Sequence, residues 1–170
     1  MTLLRGGAVD PLGVIIQILA TLVIVFLALP LHELAHGWVA YKLGDPTAKY
    51  EGRLTLNPLA SIDPMGAMFL LLFGIGWAKP VPINFRNLRN PKTDMIWVAA
   101  AGPGANLIQA ILWAIVLKFL ISMGIYEDFF IKMCVAGVSC NIVLMALNLI
   151  PIPPLDGGRI VTGLLPPGMA

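Results

Sequence analysis

A long apolar run, residues 12–43, limits what this chain can fold into more than any other feature of its sequence. The run is longer than the ~20 apolar residues that a helix needs to cross a bilayer. Before Tyr41, its only ionisable side chains are those of His32, Glu33 and His36. Because such groups are costly in lipid, their presence predicts a functional site inside a membrane helix.

The overall composition agrees with a membrane protein. Hydrophobic residues make up 58% of the chain and charged residues only 12%, whereas typical soluble domains carry about 25% charged residues. The formal net charge is +2, and no basic run with interleaved aromatic residues is present, which argues against nucleic acid as a partner. We therefore expect a multi-pass integral protein of the cell membrane, with the lipid bilayer as its surroundings.

The two histidines are the only ones in the chain, and they stand four residues apart. On a helix, residues i and i+4 lie on one face, so both imidazoles can reach one metal ion. Glu33 directly follows the first histidine, which is the arrangement of two zinc ligands and a general base in metalloproteases. Simple packing of the histidines is the alternative, but neither imidazole nor carboxylate gains anything from lipid.

A catalytic zinc site needs a third protein ligand and an open position. No third histidine exists, so a carboxylate must complete the set. Asp156 is the best candidate because it follows residues 150–154, whose three prolines exclude a helix. Irregular backbone at membrane depth is tolerated only where it is buried in protein or lines a wet cavity. Three loop carboxylates are rivals (Asp45, Asp63, Asp94), and Asp156 could instead be a helix N-cap.

About four membrane segments are predicted, and the fold class is an all-α polytopic membrane protein. The apolar segments are residues 12–43, 65–77, 95–121 and 129–150. Pro30 predicts a kink or a break in the first segment. The second is short for a span and could be a re-entrant or tilted helix. The loop at residues 79–92 carries four basic residues and is expected to be cytoplasmic.

The third segment begins with a row of small residues, 99–105, followed by one amide, Asn106. Small residues let helices approach closely in lipid, so we expect this row to pack against the helix that carries the histidines. Asn106 is then either an interhelical hydrogen-bonding residue, which we favour, or a substrate contact.

A small β element is predicted at residues 47–56, where polar and apolar residues alternate. Such a strand either belongs to a small hairpin or sheet that caps the helices, or offers an edge to an extended substrate. In the second case Tyr50 and Arg53 are candidate substrate contacts.

Two separated motifs resemble one known family. The His-Glu-Leu-Ala-His motif at residues 32–36, together with Asn148 and the proline-rich run to Asp156, looks like the site-2 protease family of intramembrane zinc metalloproteases. Residues 76–82 and 101–106 resemble its compact branch, which lacks PDZ and CBS domains. The predicted strand resembles the membrane-associated β element of that family.

The resemblance implies a role for each matching residue. His32, His36 and Asp156 match the zinc ligands of the family, and Glu33 matches its catalytic glutamate. Asn148 matches an asparagine that helps to position the substrate or the oxyanion. Histidine and carboxylate ligands also accept other divalent metals, so the residues themselves leave the metal open.

The function implied is that of an intramembrane zinc endopeptidase acting on transmembrane protein substrates, as in regulated intramembrane proteolysis. Residues 1–170 are expected to form a single membrane-embedded core; relatives usually continue through a further hydrophobic segment, so a truncated core is possible. The alternative is a non-catalytic membrane protein that holds clients and uses a structural metal site. Glu33 favours the enzyme, because a structural site needs no general base. A metal transporter should offer ligands at several depths, and this chain offers one cluster.

Overall fold

Three long helices dominate the computed structural model, which describes residues 11–61, 63, 65–66, 68 and 79–166. They are α1 (Pro11–Lys42), α3 (Pro91–Ser122) and α4 (Asp128–Asn148). All three are long and apolar enough to cross a membrane. The shorter elements are helices α2 (Thr47–Tyr50) and α5 (Asp156–Leu164) and two 3-10 turns, Pro58–Ser61 and Phe85–Asn87. The described residues contain no strand, so this is an all-α membrane protein.

Three of the four predicted membrane segments agree with the long helices to within a few residues. The remaining predicted segment, residues 65–77, lies mostly outside the described residues, so its crossing of the membrane stays a prediction. A break at Pro30 is wrong, because α1 continues through this residue as one helix. A proline removes only one helical hydrogen bond. Ala28, before the proline, and His32, after it, are both buried, so packing stabilises the helix on either side of Pro30.

The predicted strand at residues 47–56 is also wrong. Residues Thr47–Tyr50 form the single turn of α2, and the chain then reverses at Gly52, whose φ is +65°. The turn begins where the carboxylate of Asp45 accepts the backbone N–H of Thr47 at 3.1 Å. A short polar side chain that bonds the backbone two residues on favours a turn. The described residues contain no second strand that could pair with this segment, so its backbone groups form turn hydrogen bonds instead.

Glycines allow the helices to approach closely. A Cβ on Gly137 of α4 would lie 2.4 Å from Cγ of Trp113 on α3, and one on Gly163 of α5 would lie 2.5 Å from Cγ1 of Ile96. Real Cβ atoms do not come this close to a neighbour, so larger residues would push the helices apart.

The loop after α1 returns to the end of that helix. The backbone N–H of Arg89 donates to the carbonyl of Leu43 at 3.1 Å, and Nη2 of Arg53 donates to the carbonyl of Lys79 at 2.7 Å. Residues 53 and 79 are therefore neighbours in space. We call this end of the bundle, where α1 finishes, α3 begins and α4 finishes, the loop end.

Candidate metal centre

Three buried side chains meet near the loop end of the bundle. His32 and His36 lie one turn apart on α1, and Asp156 is the first residue of α5. Nε2 of His36 lies 3.0 Å from Nε2 of His32. Oδ2 of Asp156 lies 3.3 Å from Nε2 of His32 and 3.2 Å from Nε2 of His36. These three atoms form a near-equilateral triangle that could hold one metal ion.

The triangle has the dimensions of a zinc site. Ligand atoms about 2.0–2.1 Å from a tetrahedral zinc ion are roughly 3.3 Å from one another, close to the three distances observed. Oδ2 of Asp156 is buried and lies within 3.3 Å of both Nε2 atoms, but it makes no hydrogen bond of acceptable geometry to them or to any other described residue. A buried carboxylate oxygen without a partner is costly. The donor set therefore fits a divalent cation at its centre.

Gly102 of α3 makes room beside the triangle. A Cβ on this residue would lie 2.3 Å from Nε2 of His36 and 2.6 Å from Nε2 of His32. Only a residue without a side chain leaves this space open. The small-residue row of α3 thus packs against α1, as predicted, at the level of the two imidazoles.

The outer nitrogens of both imidazoles contact α3. Nδ1 of His36 lies 2.7 Å from the backbone carbonyl of Val98, and Nδ1 of His32 lies 3.1 Å from Nδ2 of Asn106. These contacts turn both Nε2 atoms toward Asp156. A metal-binding histidine usually has such a partner for its second nitrogen.

Asp156 reaches the histidines because α5 starts very close to the end of α4. A Cβ on Gly157 would lie 2.3 Å from the carbonyl oxygen of Leu149, and one on Gly158 would lie 2.7 Å from the backbone nitrogen of Pro153. The two glycines are therefore needed for space. The N-cap alternative for Asp156 is wrong, because Leu155 is the N-cap and Asp156 lies inside the first turn.

Glu33 is half-buried on α1, next to the first histidine. Its Oε2 accepts the backbone N–H of Val81 at 3.0 Å. Val81 lies between Pro80 and Pro82, which have no N–H group. The only amide hydrogen of this short stretch is therefore used to hold the glutamate.

The three rival carboxylates have other partners. Asp45 accepts from the backbone N–H of Asn84 at 2.7 Å, Asp94 from that of Asn90 at 2.8 Å, and Asp63 from that of Gly66 at 2.8 Å. Each carboxylate fastens a nearby or returning segment of backbone. None of the three belongs to the His32, His36 and Asp156 group.

Of the candidate substrate contacts, Asn106 lies against His32, whereas Asn148, Tyr50 and Arg53 make no hydrogen bond to this group among the described residues. Nδ2 of Asn148 donates to the carbonyl of Leu144 at 3.0 Å, one turn earlier in α4. The side chain of Tyr50 is 83% exposed, and Arg53 holds the carbonyl of Lys79. The strand that suggested Tyr50 and Arg53 is absent, so their role and that of Asn148 stay predictions from the sequence.

Three contributors to the site were not expected from the sequence. They are the carbonyl of Val98, the N–H of Val81 and the space at Gly102. Almost every residue type has the same backbone N–H and carbonyl, so the sequence could not indicate the roles of Val98 and Val81. The small-residue row did predict close packing, but not which glycine would face the imidazoles.

Comparison with known proteins links this site to a family. The family described as peptidase family M50 matches residues 125–167, which include Asp156. YwhC of Bacillus subtilis (strain 168), provisionally named a zinc metalloprotease, is 40% identical over 168 residues, 94% of this chain and 74% of YwhC. Rip2 of Mycobacterium tuberculosis (strain ATCC 25618 / H37Rv), with the same provisional name, is 30% identical over 167 residues, 91% of this chain and 60% of Rip2.

A more distant relative is MJ0392 of Methanocaldococcus jannaschii, named a zinc metalloprotease. It is 28% identical over 144 residues, 84% of this chain and 33% of MJ0392. The chain thus spans less than two thirds of the lengths of Rip2 and MJ0392. No solved structure matches the chain. Because the similarity to YwhC extends over most of both proteins, the chain belongs to peptidase family M50, the site-2 protease family.

Proposed function

We propose that this chain is a zinc metalloendopeptidase of the cell membrane that cuts transmembrane protein substrates within or near the bilayer. One observation carries the proposal: the buried donor atoms of His32, His36 and Asp156 meet beside the helical turn that bears Glu33. Membership in family M50 and the names of the relatives support it. In this proposal residues 1–170 act as a single membrane-embedded core.

The metal would be held by Nε2 of His32, Nε2 of His36 and Oδ2 of Asp156. Zinc, when bound, supplies a Lewis acid that polarises the scissile carbonyl and makes water more acidic. Other divalent ions also accept histidine and carboxylate ligands. Measuring the metal content of the purified protein identifies which ion is bound.

Glu33 is the proposed general base. The N–H of Val81 holds Oε2, which orients the carboxylate and leaves Oε1 to take a proton from the attacking water. Oε1 then passes this proton to the nitrogen of the leaving amine, so the carboxylate returns to its starting state. A structural metal site would have no need for such a group beside its first ligand.

The distribution of charge supports an orientation with the site near the cytoplasmic face. Eight basic residues lie at the loop end (Lys42, Lys49, Arg53, Lys79, Arg86, Arg89, Lys92, Arg159). Among the described residues, only Lys118 and Lys132 lie toward the other end. An excess of Lys and Arg marks cytoplasmic loops. His36 is six residues from the end of α1, roughly 9 Å along the helix, so the bond to be cut would lie near that face.

The test uses detergent-purified protein, a generic membrane-helix substrate and the variant Glu33→Gln. We expect the native chain to cut and to hold about one zinc ion. The variant keeps an oxygen that can accept from Val81 but loses the base, so we expect it to retain zinc while its cleavage rate falls roughly 10²- to 10⁴-fold. Cleavage products are measured by mass spectrometry and zinc by elemental analysis.

The alternative function is a non-catalytic membrane protein that holds clients and has a structural metal site. It predicts that both proteins bind zinc and that neither cuts. That result would rule out the enzyme for this chain. A native chain that binds no metal would rule out both functions.

A further inference from the structure

The side chain of Asn106 occupies an unusual position for a polar group in a membrane helix. It is fully buried on α3, and its amide nitrogen Nδ2 lies 3.1 Å from Nδ1 of His32. The amide oxygen, Oδ1, has no hydrogen-bond partner among the described residues. Burying an amide is costly unless its contacts are needed, so the contact with His32 requires an explanation.

The position of Asn106 on α3 is matched to the two histidines. Val98, Gly102 and Asn106 are four residues apart and form one stripe along the helix. Val98 contacts His36, Gly102 faces both imidazoles, and Asn106 contacts His32. Since the order is reversed on α1, the helices run antiparallel here, and α3 offers each imidazole one outer partner.

The chemistry of imidazole determines what that partner must be. A neutral imidazole has one N–H and one lone pair, and a metal takes the lone pair. If Nε2 binds the metal, Nδ1 carries the hydrogen and needs an acceptor. The carbonyl of Val98 can only accept, so it holds His36 in this form. For His32, Nδ2 of Asn106 lies at Nδ1 in the structure, and a half-turn of the amide about its last side-chain bond would put Oδ1 in the same place as the acceptor.

We propose that Asn106 is a positioning residue that holds His32 with its hydrogen on Nδ1 and its Nε2 free for the metal. This rests on the proposed metal-binding function of His32. It replaces the two roles considered from the sequence, because the amide acts through a ligand histidine and neither contacts substrate nor simply joins two helices.

The experiment compares Asn106→Leu, Asn106→Asp and Asn141→Leu in the purified full chain. Leucine keeps the branched shape of asparagine but accepts no hydrogen bond, whereas ionised aspartate is an acceptor only. Asn141 is the matched control: it is equally buried, on α4, and its amide donates to the carbonyl of Gly137 at 2.8 Å, with no hydrogen bond to either histidine among the described residues. Zinc affinity is measured by competition with a chelator, independently of cleavage.

We expect Asn106→Leu to bind zinc about 10- to 100-fold more weakly, as is typical when the outer partner of a ligand is lost. Asn106→Asp and Asn141→Leu should both bind zinc within a few-fold of the native chain. Because the chain has only two histidines, ¹⁵N NMR of labelled imidazoles resolves all four ring nitrogens. In the zinc-loaded native protein, the Nδ1 hydrogen of His32 should be protected from exchange, and in Asn106→Leu it should exchange faster.

Equal zinc affinity for the native chain and Asn106→Leu would overturn the proposal while leaving the metal function intact. Equal losses in Asn106→Leu and Asn106→Asp would also overturn it, because the loss would then follow from packing. If the native chain binds no zinc, the metal function itself fails, and the role of Asn106 fails with it.

Discussion

At the scale of single residues, Gly102 sets the space available to the candidate metal centre. A Cβ there would lie 2.3 Å from Nε2 of His36, far inside van der Waals contact. We expect Gly102→Ala to displace the imidazoles at a cost of about 1–3 kcal/mol, and to weaken zinc binding roughly 5- to 150-fold. Zinc affinity and the unfolding temperature of the metal-free protein are the measurements.

Gly104→Ala is the matched control for this prediction. Gly104 lies two residues further along the same helix, and a Cβ there would meet no atom of the described residues within 4 Å. Both variants add one methyl group to α3, so a difference between them reports on the position alone. If Gly102→Ala binds zinc as tightly as Gly104→Ala does, the space at Gly102 is not needed.

At the scale of elements, Asp45 fastens the loop that crosses the end of α1. Its carboxylate is buried and accepts from Asn84 at 2.7 Å, from Asn87 at 2.9 Å and from the backbone N–H of Thr47 at 3.1 Å. Burial raises the pKa of Asp45, but the hydrogen bonds from these three residues outweigh it, and the pKa is lower than its ordinary value. The same loop carries Val81, so its attachment also supports Glu33.

This lowered pKa predicts how the stability of the protein depends on pH. The unfolded carboxyl has a pKa of about 3.9, so the stability contributed by Asp45 is complete well above that pH. It is lost as the pH falls through the lower pKa of the folded state. We expect Asp45→Asn to be about 1.5–3 kcal/mol less stable than the native chain at pH 7, with the difference shrinking below about pH 4.

The measurement is the unfolding midpoint of both proteins in the same detergent between pH 7 and pH 3. The comparison cancels the titration of other groups, which both proteins share. A difference that stays constant down to pH 3 would show that the charge of Asp45 does not stabilise the loop.

At the scale of the whole molecule, the antiparallel order of the long helices places the candidate site and eight basic residues at the same end. We expect the loop end to face the cytoplasm. In intact cells, an impermeant thiol reagent should label Glu127→Cys, near the opposite end, and should label Glu51→Cys only after the membrane is opened. Both positions are exposed.

The control for this labelling is the chain with Cys134 and Cys140, its only cysteines, replaced by alanine. This background removes labelling of the native thiols, which lie within α4. Labelling of Glu51→Cys in intact cells would reverse the orientation and place the candidate site near the outer face.

The local sequence was sufficient to predict the three long helices and the shared face of His32 and His36. A helix in lipid needs a long apolar run, and that requirement is visible in residues 12–43 without any partner. Likewise, the spacing of His32 and His36 on a helix follows from local geometry. The prediction of a strand at residues 47–56 was wrong, because alternating polar and apolar residues do not show whether a partner strand exists.

Contacts between distant segments needed the folded structure. Asp156 is 120 residues from His36 along the chain, and the sequence could rank it above Asp45, Asp63 and Asp94 only by the prolines before it. The choice among them depends on how closely α5 approaches α4. The contacts of Val81 with Glu33 and of Asn106 with His32 likewise depend on how α1 lies against its neighbours. Sequence patterns predict the local structure of one helix or loop, whereas a site built from several elements depends on how those elements pack against one another.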